Sequence, residues 1–230
     1  MAPWLGSLKC NPANATLIQL DDNRPLFRFL REESHAEALV AGCVWVSTLG
    51  ICRAYEDMER GDPGEGSLGY SISKAAGDGS NLQLVRNAAR AGIYIGPDAQ
   101  NIELANISGT TILSDAWLLC LTEECDNGLM AAFGRFCVRI ERPRSLFESI
   151  CEALVRKHST RVQGVAGPVV YRDRRYRDDE EAPGHIALVK PERYRQQSEV
   201  RMVWWRHDQR PITQQLIDVP ASVGSIVRVL

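Results

Sequence analysis

The sequence withholds most of the features that declare a function through composition. Charge of one sign is missing: 27 Lys and Arg stand against 29 Asp and Glu, giving a net charge of −2 and a pI near 6.1. Nothing therefore steers the whole molecule towards nucleic acid or an anionic membrane, although a local basic patch stays open. No apolar run approaches the ~20 residues that a membrane span needs. The first ten residues lack a basic segment followed by an apolar core, so no signal peptide is expected. Cysteine is present as an odd set of seven (Cys10, Cys43, Cys52, Cys120, Cys125, Cys137 and Cys151) without a C-x-x-C pair. Most lie inside apolar runs, and buried free thiols in a reducing cytosol fit them better than disulfides or zinc ligands. The expected location is the cytoplasm, reached by synthesis there or by delivery into a target cell.

Chemical motifs are equally scarce. His35, His158, His185 and His207 are far apart and none pairs with another at ligand spacing, so no metal site is expected. Residues 61–66 and 77–79 are glycine-rich but contain neither G-x-G-x-x-G nor G-K-[ST], which excludes a dinucleotide fingerprint and a phosphate loop. There is no G-x-S-x-G elbow to place a serine triad. A cysteine nucleophile has no support either, because apolar surroundings raise a thiol pKa.

What is present is a succession of short elements. Residues 1–23 read as an irregular lead-in, and residues 24–230 as a single domain. Residues 24–31 read as a strand with Leu26, Arg28 and Leu30 on one face and Phe27 and Phe29 on the other. Residues 32–42 suit a helix capped by Ser34 and stopped by Gly42, and residues 43–48 a second strand. The stretch 61–79 is too rich in glycine for regular structure; a mobile loop over a site and a plain surface connection both fit it. Residues 81–91 suit a helix or a broken strand. Residues 93–95, 102–104 and 110–113 are short strand candidates, and the continuous apolar run 117–121 fits a central strand covered on both faces. Asp126 is placed to cap a short helix ending at Gly134, and residues 135–141 form another strand. Pro143 opens the strongest helical periodicity in the chain, continuing to His158. Residues 160–171 are strand-like, the mixed-charge run 172–181 reads as a solvated loop, and residues 212–219 and 225–230 are closing strands. The expected fold is α+β, with an antiparallel or mixed sheet and few helices.

One late stretch carries most of the chemical interest. From Glu199 the pattern alternates, placing Val200, Met202 and Trp204 on one face and Gln197, Glu199, Arg201 and Val203 on the other. An amphipathic strand with a solvated Glu–Arg face accounts for this, and so does an acid lining a cleft.

Phe27-Arg28-Phe29 on a first strand, Trp45-Val46-Ser47-Thr48-Leu49 on a second and Gln197-Ser198-Glu199 late in the chain resemble the R-S-E class of ADP-ribosyltransferases. The chain also resembles a family of uncharacterised bacterial proteins across residues 26–206. Its matching features are the first strand, a V-S-T-L strand, Cys120-Leu121-Thr122, and a late K-P-x-x-Y-x-x-Q-x-E-x-R segment. The resemblance implies a split β-sandwich that binds NAD as substrate in its cleft, without a metal. It implies catalytic roles for Glu199 and Gln197, with Arg28, Ser47, Thr48 and Tyr194 holding NAD. Arg28 would grip phosphate or ribose, Ser47 would brace the carboxylate, and Gln197 would face the acceptor. Tyr194 or Trp205 would stack on nicotinamide or acceptor, or belong to the core. Glu32, Glu33, Glu56 and Asp57 are alternative sources of the acid.

The implied activity is transfer of ADP-ribose to a protein or nucleic-acid acceptor, as in a bacterial toxin or effector. Two alternatives remain on the same fold: a non-catalytic nucleotide- or partner-binding module, and an RNA-processing enzyme resembling the 2′-phosphotransferases. A nuclease is a further option, and Arg172, Arg174, Arg175 and Arg177 could form a local basic patch for either nucleic-acid-processing enzyme.

Overall fold

The computed structural model describes residues 19–54, 62–208, 210–220 and 224–227. Most of the expected lead-in, the alternative acids Glu56 and Asp57, and the end of the last expected strand lie outside these residues. In chain order the elements are β1 (Leu26–Leu30), α1 (Glu33–Val40), β2 (Cys43–Thr48), α2 (Leu49–Ala54), β3 (Ser67–Gly77), α3 (Leu82–Arg90), β4 (Ile102–Ile112), β5 (Trp117–Thr122) and α4 (Asn127–Phe133). There follow β6 (Phe136–Ile140), α5 (Pro143–His158), β7 (Val162–Pro168), β8 (Val170–Tyr171), β9 (Arg175–Arg177), β10 (Val189–Lys190), β11 (Glu199–Arg206), β12 (Gln215–Asp218) and β13 (Gly224–Val227). Short 3-10 turns cover Ile186–Leu188 and Glu192–Gln197. This is an α+β chain with antiparallel and mixed sheets and few helices.

The chain divides into two compact units. The larger draws on Leu8–Glu65, Ser114–Val169 and Arg193–Leu230. It holds an eight-stranded sheet in the order β12-β2-β5-β1-β6-β13, with β11 also paired to β5 and β7 to β11. Helix α5 covers one face of this sheet. Its apolar stripe, Leu146, Phe147, Ile150 and Leu154, is buried, and Arg156, Lys157 and His158 occupy the last turn, where the helix dipole favours cations. Phe147 stacks on Trp204 with ring centroids 5.1 Å apart. Gly164 makes that contact possible: a Cβ there would stand 2.8 Å from both Phe147 Cζ and Trp204 Cδ1. The expected Asp126 cap is present, its carboxylate accepting the Leu129 N–H at 2.8 Å. The expected Ser34 cap is not: the cap position falls two residues earlier, on Glu32, which makes no side-chain cap bond.

The smaller unit, whose described residues are Gly66–Leu113 and Val170–Glu192, corrects three expectations. The glycine-rich stretch contains an eleven-residue strand, β3, because β4 pairs with it along nearly its whole length. The separate strands expected at 102–104 and 110–113 are the two ends of β4, whereas residues 93–95 form none and bury Ile95 against Leu84 and Ala88. Within the charged run 172–181, β9 pairs in parallel with β3. Its Tyr176 buries against Tyr70, with ring centroids 4.9 Å apart and the Arg90 guanidinium lying over both rings. A buried aromatic thus overrides the solvation that the charges around it prefer.

The cysteines also depart from expectation. Cys43, Cys52, Cys120, Cys125 and Cys137 are free, but of these only Cys137 is buried, and Cys120 is exposed. Cys151 is disulfide-bonded.

Candidate functional site

Strand β5 organises the candidate site, which lies wholly within the larger unit. Along one edge it pairs with β11 from Glu199↔Thr122 to Trp204↔Trp117. Two strands share its other edge. β2 takes the start through Ser47↔Leu118 and Thr48↔Trp117, and β1 takes the end through Phe27↔Thr122. The sheet therefore forks at the middle of β5. Arg28 lies across the fork, donating from both terminal nitrogens to the Trp45 carbonyl oxygen of β2 at 3.2 Å each. Burial lowers its pKa to about 10, offset in part by attraction to Cys120, so it stays cationic at neutral pH.

On the other side of β5, β11 is buried on both faces. Val200, Met202 and Trp204 join the core under α5. Glu199 and Arg201 point the other way, yet they are only 5% and 1% exposed. A solvated Glu–Arg face is thereby ruled out, and a third residue explains how the charges tolerate burial. Arg201 presents its Nε and one terminal nitrogen to Glu199, at 2.7 and 3.4 Å. It presents both terminal nitrogens to Glu65, at 2.5 and 2.7 Å. Desolvation opposes the guanidinium charge, but Glu199, Glu65 and Cys120 together outweigh it and raise the pKa. Two forked, charge-assisted contacts are the arrangement that makes a buried arginine tolerable.

Glu65 is held by a relay that begins at Thr48. The Thr48 hydroxyl accepts the Ile51 N–H at 3.2 Å and starts α2. Arg53 of α2 donates its Nε–H to the Glu65 carbonyl at 2.7 Å. A turn in which the Glu65 N–H reaches the Asp62 carbonyl at 2.9 Å completes the support. The sequence reading missed Glu65. The only signal was an acid set between Gly64 and Gly66, in a stretch without periodicity.

The expected site residues are distributed as follows. Gln197 does not share a strand face with Glu199, because it ends the 3-10 turn and Ser198 intervenes with φ of 39°. That left-handed residue is gripped from β5's end: its hydroxyl donates to Glu124 Oε1 at 2.8 Å and its carbonyl accepts the Glu123 N–H. Both Gln197 and Tyr194 are buried, and the Tyr194 hydroxyl accepts from Arg193 at 3.0 Å. Ser47 stands opposite Leu118, four residues along β5 from Thr122 and about 13 Å away at strand rise. The expected bracing contact between Ser47 and Glu199 is not formed; Arg201 braces the carboxylate instead. Trp205 is buried, its indole N–H donated to Gln163 at 3.1 Å, and Glu32 and Glu33 are exposed at the start of α1. Cys120, opposite Arg201 on β5, is the shared neighbour of Arg28 and Arg201.

Chemically, β1 offers a half-buried forked cation and β11 a carboxylate whose charge is held in place by an arginine. Thr122 pairs with both Phe27 and Glu199, so Glu199 shares its sheet face with Phe27. Arg28, next along β1, leaves its strand on the opposite face with Leu26. A cation of this kind suits phosphate or ribose oxygens, and a fixed carboxylate suits hydroxyl groups or a developing positive charge. Among the described residues, no group of three or more His, Cys, Asp or Glu is arranged to hold a metal ion. No family model, curated protein or solved structure matches the chain.

Proposed function

We propose that the larger unit is an NAD-dependent ADP-ribosyltransferase in which Glu199 is the acid and Arg28 the phosphate- or ribose-binding cation. The observation that carries the reading is the fork in β5, with an arginine across one arm and a buried acid opening the strand on the other edge. Cleavage between nicotinamide and ribose develops positive charge on the sugar. Glu199, its orientation set by Arg201, would stabilise that charge electrostatically. Arg28 would exchange the Trp45 carbonyl for substrate oxygens, a stronger charge-assisted partner. The acceptor is a protein side chain or a nucleic-acid base.

A second reading draws on the Glu199–Arg201–Glu65 contacts themselves. A carboxylate already committed to an arginine suits a non-catalytic nucleotide-binding module. Incubation of the protein and a cell lysate with labelled NAD, followed by protease or nuclease, separates the two. The transferase reading expects label that one of the treatments removes. Binding of NAD by calorimetry without label transfer or nicotinamide release would instead establish the binding module, and absence of NAD binding would reject both.

A further inference from the structure

Two thiols in the larger unit lie against each other and take no part in the proposed reaction. Cys125, in the segment joining β5 to α4, has its Sγ 3.3 Å from Sγ of Cys137 on β6. Cys137 is fully buried and pinned on both sides of its strand, opposite Phe29 of β1 and Val227 of β13. Cys125 is partly exposed and belongs to no strand. The pair is therefore asymmetric, with one sulfur partly open to solvent outside any helix or strand and the other enclosed within a paired strand. Burial, followed by the hydrogen bond and charge of Cys125, raises the Cys137 thiol pKa well above its ordinary value. That keeps Cys137 protonated and slow to react with reagents from solvent.

We propose that Cys125 and Cys137 form a reversible dithiol–disulfide site whose oxidant is a small-molecule disulfide of the glutathione class. The Cys125 thiolate attacks one sulfur of the oxidised compound, whose S–S bond breaks, and one thiol leaves with a proton from solvent. Cys137 then gives up its proton, attacks Cys125 Sγ and displaces the second thiol. The two protein thiols lose two electrons and the small disulfide gains them. A 3.3 Å approach needs only a short movement of the Cys125 segment to reach the ~2.05 Å of an S–S bond. The same segment carries Glu124 and Glu123, which hold Ser198 next to Glu199, so the bond forms beside the candidate site. Neither step depends on whether Glu199 acts on NAD.

The test is peptide mapping of the full chain without reduction, after equilibration with oxidised glutathione. The expected result is a linked pair of peptides containing Cys125 and Cys137, lost again on adding reduced glutathione. The Cys137→Ser variant should instead hold a stable glutathione adduct on Cys125. As a redox-free measure, phenylarsine oxide should bridge both thiols of the folded wild-type protein, releasing water, and block their alkylation. This arm keeps the test decisive if the serine variant does not fold. The proposal is overturned if oxidised wild-type protein carries glutathione on Cys125 while Cys137 stays free. It is equally overturned if the arsenical protects neither thiol.

Discussion

Arg201 is the residue on which the interior of the larger unit depends, since it bridges Glu199 and Glu65. Replacing it by Met leaves two buried carboxylates facing each other, and chemical denaturation of Arg201→Met should show a loss of about 3–5 kcal/mol. Glu199→Gln should be far milder, because Arg201 keeps its forked contact with Glu65. Its urea midpoint is expected to stay close to that of the wild type, which makes it the clean variant for testing chemistry. Two of the three residues of this cluster were legible in the sequence: alternation from Glu199 put Glu199 and Arg201 on one strand face. Glu65 was not, because it reaches Arg201 from a glycine-bounded turn, and contacts between residues 136 positions apart leave no local pattern. Gln197 was misassigned for a backbone reason. Ser198 adopts a left-handed conformation that interrupts the alternation one residue before the strand.

The elements that were readable are those whose own periodicity and end signals agree. Helix α5 has an apolar stripe and a leading proline, and α4 has an Asp cap and a Gly stop, as the structure has them. β3 and β9 were hidden because their stability comes from partners, β4 and the Tyr70–Tyr176 contact, which composition opposes. Packing between elements supplies its own prediction. Gly164→Ala drives a methyl group into the stacked Phe147 and Trp204 rings and against the Val203 carbonyl. Thermal or urea unfolding should report a loss of about 1–3 kcal/mol. A pH dependence belongs to the 3-10 turn Ile186–Leu188, where Nδ1 of His185 accepts the Ala187 N–H at 3.2 Å. Burial lowers the His185 pKa below its ordinary 6.5. The unfolded chain therefore takes up a proton more readily, so the contribution of His185 is complete above pH ~6.5 and is lost as pH falls through the depressed value. NMR titration of the His185 ring should give a midpoint below 6.5. A midpoint at or above 6.5 would remove this contribution.

For the molecule as a whole, the sequence conveyed the α+β class and the absence of a one-signed charge. It did not convey the fork in β5, because strand order depends on pairings between distant segments. The net charge of −2 has a consequence for the acceptor. Without a large basic field, any single-stranded RNA binding should be weak, with a shallow dependence on salt in a gel-shift assay. A steep decline in affinity between low and moderate salt would point to a concentrated basic surface and favour a nucleic-acid acceptor. The role of Glu199 is measured directly by nicotinamide release from NAD by wild-type protein and by Glu199→Gln at matched folded fraction. Release by the wild type is expected, with a decrease in the variant of about 10²–10³-fold, the range seen when one electrostatic partner of a transition state is removed. Equal rates in the two proteins, or NAD bound by the wild type but left intact, would contradict that role.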